Sequence, residues 1–233
     1  MLISRFRVAL YKNRTAIKAI DRVANDIGAF CHKNNIQIYP QTLSEKTGTC
    51  KFLKEIYKEL ESSLKIGIES MKGKKLVLSD KASKAYPDLK GVKPRGWPPG
   101  TTWDNAEGFA NIDGVSLFNI RNRRPVSVIL PHEIGHIIDF QRNLTTTNKK
   151  YIDSYLKDIK NLNKNYKLNS SSKDTSLLDY LVQGSTGKNL TEAGKQEAFA
   201  EIYAYQNCGG TGINEVINKL FPNTLNYIKK MCN

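Results

Sequence analysis

Histidine is scarce in this chain: its 233 residues include only three. Two of them, His132 and His136, lie four residues apart, and none follows His136, so chemistry that needs a third histidine downstream is excluded by counting. Cysteine is nearly as sparse. Cys31, Cys50, Cys208 and Cys232 lack C-x-x-C spacing, which argues against a thiolate zinc site. They leave room for one or two disulfides, with Cys208 and Cys232 the nearest late pair, or for free buried thiols in a reducing compartment. Long apolar runs are also missing. None approaches the ~18 residues that a membrane span requires, and the N-terminal M-L-I-S-R-F-R-V-A-L-Y-K-N-R interrupts its apolar residues with Arg and Lys, unlike a secretory signal. The expectation is a chain that works in the cytoplasm, leaves by a route needing no such signal, or is a processed form. Acidic residues are few: 22 Asp plus Glu stand against 36 Lys plus Arg, a net charge of +14. That excess attracts polyanions such as nucleic acid, anionic membrane or an acidic protein surface. The basic residues are scattered, however, with no aromatic-interleaved stripe to mark a nucleic-acid partner. A solvated lysine-rich surface is the plainer reading.

Against this background one stretch stands out, V-S-V-I-L-P-H-E-I-G-H-I-I-D-F at 126–140. On a helix, residues i and i+4 lie on one face, so His132 and His136 can point imidazole nitrogens at one ion. Glu133 projects from the edge of that face, too far round for ordinary ligation but placed to take a proton from the attacking water. Ile129, Leu130, Ile134, Ile137 and Ile138 would bury the helix and hold the ligands in a shaped site. Pro131 suits a first helical turn, and Gly135 between the ligands leaves room for backbone or substrate to come close. The pattern is that of a zinc hydrolase, with one Zn2+ per chain.

Such a site wants three protein ligands and an open position. With no histidine left downstream, the third must be a carboxylate or something weaker. Glu192, Glu197 and Glu201 sit on a helix expected at 191–208, stopped by Gly209 and Gly210. Glu197 and Glu201 are one turn apart, so one can bind the metal while the other orients a histidine. Asp139 is a further candidate to hold a ligand histidine.

The rest of the chain reads as scaffold. Apolar residues at three and four predict helices over 14–33 and 51–71, with others near 151–162 and 177–182, and L-V-L marks a short strand at 75–79. Residues 81–114 concentrate Pro, Gly and both tryptophans. Trp97 and Trp103 could cover a substrate groove or simply pin an irregular segment to the core. The alternating V-S-L-F-N-I at 115–120 predicts a strand. We expect it, or its immediate neighbour, to be the sheet edge that pairs with an extended substrate, so Trp103, Val115 and Leu117 are candidate substrate contacts.

H-E-I-G-H-I-I-D followed by E-A-F-A-E resembles the peptidase domain of the anthrax-toxin-lethal-factor-like metallopeptidases, whose signature joins H-E-x-G-H-x-x-D to a downstream E-F-F-A-E-type helix. R-G-W, T-W-D and the closing F-P-N-T-L-N-Y-I are also similar, so the resemblance spans about 95–228. It implies that His132, His136 and Glu197 are the zinc ligands, Glu133 the general base and Glu201 the partner behind a ligand histidine. The family places an oxyanion-donating tyrosine seven residues before the ligand glutamate; here that position is Leu190. Tyr180, Tyr203 and Tyr205 are the alternatives, and the donor is unassigned. The gap from His136 to Glu197 is also longer than the family's.

The expected fold is α+β, a mostly helical, zincin-like domain with a small mixed sheet beside the H-E-x-x-H helix. An N-terminal helical part at 1–80 is expected to pack on a metallopeptidase core at 81–233. A monomer is expected; the resemblance implies a zinc endopeptidase acting on a specific protein, and members include host-directed bacterial toxins and secreted peptidases selective for proline-rich sequences. The alternative class is a basic, non-catalytic metal-binding module that binds a polyanion.

Overall fold

The computed structural model describes residues 14–40, 49–94, 99–118, 124–165, 173–186, 188–208 and 214–233. The R-G-W tripeptide with Trp97, the end of the strand expected at 115–120, and most of the polar loop at 168–174 lie outside them. So do the Cys50 and Cys208 side chains; Cys31 is a buried free thiol and Cys232 is also free.

The amphipathic segments form α1 (Arg14–Lys33), α2 (Thr49–Ser62) and α3 (Lys65–Met71), with strands β1 (Gln37–Pro40) and β2 (Lys75–Leu78) following α1 and α3. The single helix expected over 51–71 is broken. Ser62 and Ser63 turn their hydroxyls onto the Glu59 carbonyl oxygen at 3.2 and 2.7 Å, and the Leu64 N–H donates to Asn207 Oδ1 at 2.8 Å. Local hydroxyl bonds compete with the helix ladder, and a distant side chain captures the freed amide.

A short helix, α4 (Ala82–Ala85), and two 3-10 turns at Pro87–Leu89 and Trp103–Asn105 lead into the hairpin β3 (Gly108–Asn111) and β4 (Gly114–Leu117). The sheet order is β1-β2-β4-β3, parallel except for the antiparallel β3/β4 pair. β4 is therefore interior, and β3 is an edge. β2, from one side of residue 80, lies between β1 and β4 in the same sheet.

The long helix α5 (Val126–Arg142) crosses the sheet face that carries Leu76, Leu78, Val115 and Leu117. Its own apolar residues run nearly all round, as befits a helix enclosed by its neighbours. Pro131 falls in the second turn instead of the first, so the helix gives up one interior hydrogen bond. After α5 come α6 (Leu144–Thr147), α7 (Lys149–Asn165), α8 (Lys173–Val182), α9 (Glu192–Cys208), α10 (Asn214–Leu220) and α11 (Pro222–Cys232). The architecture is mostly helical with one small mixed sheet. Among the described residues no helix is long and apolar enough to cross a membrane.

Candidate metal centre

Helices α5 and α9 touch at a point set by one missing side chain. A Cβ on Gly135 would lie 2.7 Å from the Ala200 Cα, closer than such atoms pack, and a tight 3.3 Å from its Cβ. The room that Gly135 leaves is taken by the backbone of α9, and the next turns of both helices face each other. Gly194 does the same for α8, whose last turn approaches so closely that a Cβ there would sit 2.2 Å from the Val182 carbonyl oxygen. The two glycines bring side chains of three helices into one cleft.

In that cleft His132, His136 and Glu197 form a three-donor cluster able to hold a metal ion. His132 Nε2 lies 3.2 Å from His136 Nε2 and 3.4 Å from Glu197 Oε2, and the third side, His136 Nε2 to Glu197 Oε2, is 3.6 Å. A tetrahedral zinc with bonds of about 2.0–2.1 Å needs donors about 3.3 Å apart, so this triangle fits that ion, and a His2Glu donor set is one that catalytic zinc uses. Behind it, His132 Nδ1–H donates to the buried Glu201 carboxylate at 2.8 Å, which orients the ring so that Nε2 faces the cluster.

In the metal-free cluster, burial pushes the His132 imidazole down, but hydrogen bonds to Glu197 and Glu201 and the nearby Glu133 charge outweigh it and lift the group to about 10, so the ring carries a proton that zinc would displace on binding. Glu197 moves the other way: burial raises it, yet the two histidines hold its carboxyl well below the usual range. Glu133 is buried, and desolvation raises it in spite of both imidazoles. Arg124 favours the charged forms of Glu133 and Glu201.

Tyr180 of α8 completes the cleft. Its hydroxyl donates a short hydrogen bond to Glu197 and lies 3.4 Å from His132 Nε2. Burial of the hydroxyl, with the Glu197 charge beside it, keeps the phenol far above its ordinary range, so it is a neutral donor.

Of the residues singled out from sequence, His132, Glu133, His136, Glu197 and Glu201 come together, and others do not. Glu192 is exposed on the first turn of α9. Asp139 turns away from both histidines; its two oxygens accept from the Thr145 N–H and hydroxyl at 2.8 and 2.7 Å. Val115 and Leu117 are fully buried on the interior strand β4 and pack in the core. Trp103 packs edge-on against Phe109 at 5.3 Å in a satellite cluster around Phe118, which pins the irregular segment. Tyr203 is buried against Gly67, and the Tyr205 hydroxyl accepts from Asn218. Sequence reasoning missed Gly108 altogether. A Cβ there would lie 2.5 Å from Glu133 Oε1 and 2.8 Å from the Ile129 side chain, so edge strand and Glu133 are in direct contact. Its only signal was a glycine in an aromatic strand.

No family model matches the chain, and no curated protein matches its sequence. Among solved structures, the chain is similar to the Pro-Pro endopeptidase PPEP-2 from Paenibacillus alvei, with a TM-score of 0.52 and 20% identity over 87% of this chain and 99% of that one. At that identity the likeness speaks for the fold. The chain thus shares the fold of that endopeptidase, and the cleft between its two central helices carries a His/His/Glu cluster.

Proposed function

We propose that the chain is a zinc endopeptidase of the anthrax-toxin-lethal-factor-like kind, with His132, His136 and Glu197 as ligands and Glu133 as general base. The observation that carries this reading is the donor triangle of 3.2, 3.4 and 3.6 Å backed by Glu201 on His132 Nδ1. Bound there, zinc would acidify the attacking water and polarise the scissile carbonyl. Glu133 accepts the water proton and returns it to the leaving nitrogen, a task suited by a carboxylate whose pKa burial has raised. Tyr180 takes the place that Leu190 leaves empty. Once Glu197 turns its oxygen to a bound metal, the neutral hydroxyl at the mouth of the triangle would be released from that carboxylate to donate to the oxygen on which negative charge develops. The edge strand β3, paired only with β4 among the described residues, receives the substrate backbone.

The neighbour's name supports a first substrate class to test. PPEP-2 is named for cleavage at Pro-Pro, and peptides with a central Pro-Pro are the first to assay; a specific target protein with an acidic surface would suit the net charge of +14. Delivery of the enzyme as a toxin or effector belongs to the same reading. Tyr180→Phe is the test of the donor. It keeps the ring beside His132, at 6.4 Å between centroids, and removes only the hydroxyl. The expected result is a kcat about 10²–10³-fold lower with KM and zinc content unchanged; an unaltered kcat would remove Tyr180 from the mechanism.

A further inference from the structure

The start of the edge strand is tied to the start of the metal helix by one carboxylate. Glu107 directly precedes β3. Its Oε1 accepts the Arg124 backbone N–H at 2.6 Å and its Oε2 accepts Arg124 Nε at 2.7 Å, while its own carbonyl oxygen accepts the Phe118 N–H at 2.8 Å. Arg124 directly precedes Pro125, whose carbonyl oxygen accepts the first amides of α5, from Val128 and Ile129, at 2.9 and 3.2 Å. Pro125 supplies no side-chain cap, and Glu107 brings a negative group to this end of the helix dipole.

From this we infer that the Glu107–Arg124 pair is a clasp that sets the position of β3 against α5, and so governs the binding of the substrate strand. The inference rests on the peptidase reading above. One residue past Glu107, Gly108 meets Glu133 and Ile129 with no slack for a Cβ. Farther along, β3 is held by β4 on one side and by the hairpin turn, where Asn111 Oδ1 accepts the Asp113 and Gly114 amides at 2.9 and 3.2 Å. A four-residue edge strand pinned at both ends offers a backbone ladder already in place, which lowers the ordering cost of binding. With the clasp open, the strand must be ordered at the moment the peptide arrives.

Magnitudes separate this role from a general structural one. The Arg124 side chain is about half exposed, at 54%, and exposed ion pairs contribute only about 0–1 kcal/mol to stability. Glu107 and Arg124 are positioning residues, and neither belongs to the donor triangle.

The test is Glu107→Ala beside Glu107→Gln, which keeps an oxygen for the Arg124 N–H. Amide hydrogen exchange, thermal unfolding, zinc content and steady-state cleavage of a fluorogenic Pro-Pro decapeptide are measured on each full-length protein. For Glu107→Ala the expected result is exchange about tenfold faster across 108–111 with the melting temperature within a few degrees. Zinc is retained, and KM rises about tenfold with kcat within about threefold. Glu107→Gln recovers most of both changes. Unchanged exchange would overturn the clasp, as would a joint fall of melting temperature, zinc and kcat. A wild type that neither binds zinc nor cleaves overturns the peptidase reading separately, because the exchange result still decides whether the clasp holds the strand.

Discussion

Glu133→Gln should leave the zinc in place and lower kcat by about a thousandfold or more. The substitution preserves shape and removes the ability to accept a proton. Glu133 lies outside the donor triangle of His132, His136 and Glu197, so metal affinity has no reason to fall. Its carboxylate is buried against Gly108, and desolvation raises its pKa toward the range where a group can both take and return a proton. The experiment pairs metal analysis with turnover of the Pro-Pro peptide. Undiminished turnover would remove Glu133 as the base. A polyanion-binding module would tolerate the change and would show steeply salt-dependent binding instead, so the same protein separates the two classes.

Gly135→Ala should weaken zinc binding at least tenfold and destabilise the fold, although alanine is the better helix former. Propensity favours alanine by about 1 kcal/mol. Against that, the new Cβ would fall 2.7 Å from the Ala200 Cα, a backbone atom that cannot swing aside. Overpacking of this kind costs about 1–3 kcal/mol, and relief comes only by moving α9 away from α5. That movement carries Glu197 and Glu201 away from the two imidazoles and opens the triangle. Melting with and without chelator, together with a zinc titration, reads both effects. A Gly135→Ala protein as stable as wild type, with equal zinc affinity, would show that the close helix contact does not set the site.

These two residues also show how much of the molecule was legible beforehand. The i, i+4 relations of His132 with His136 and of Glu197 with Glu201 are local, so the helix period alone put each pair on a common face. The meeting of the two helices was visible only as a glycine between ligands. Tyr180 stood in the sequence only as one candidate donor among three, because it reaches Glu197 through the docking of α8 on α9 at Gly194, and no local period links residues 17 apart.

V-S-L-F has the stronger strand pattern because β4 is interior and buried on both faces, whereas the neighbouring edge strand, Gly108–Asn111, equally four residues long, is only half buried; the expectation covered either strand, and the sheet order makes the neighbour the edge. Asp139 next to the ligands looked like a histidine partner, but the αL turn at Asn143 brings Thr145 back over it. The break between α2 and α3 likewise needed Asn207, more than a hundred residues away.

The account stands or falls on zinc bound by residues of two helices. The most direct measurement is the zinc content of purified wild type beside Glu197→Ala and Glu201→Ala, with chelator-sensitive peptide cleavage followed in the same samples. The predicted result is one zinc per chain in wild type and none in Glu197→Ala. Glu201→Ala should still bind zinc, about 10–100-fold more weakly, as expected for the loss of a carboxylate behind a ligand histidine. A folded wild type that takes up no zinc, or a Glu197→Ala protein that holds it as tightly as wild type, would contradict the account.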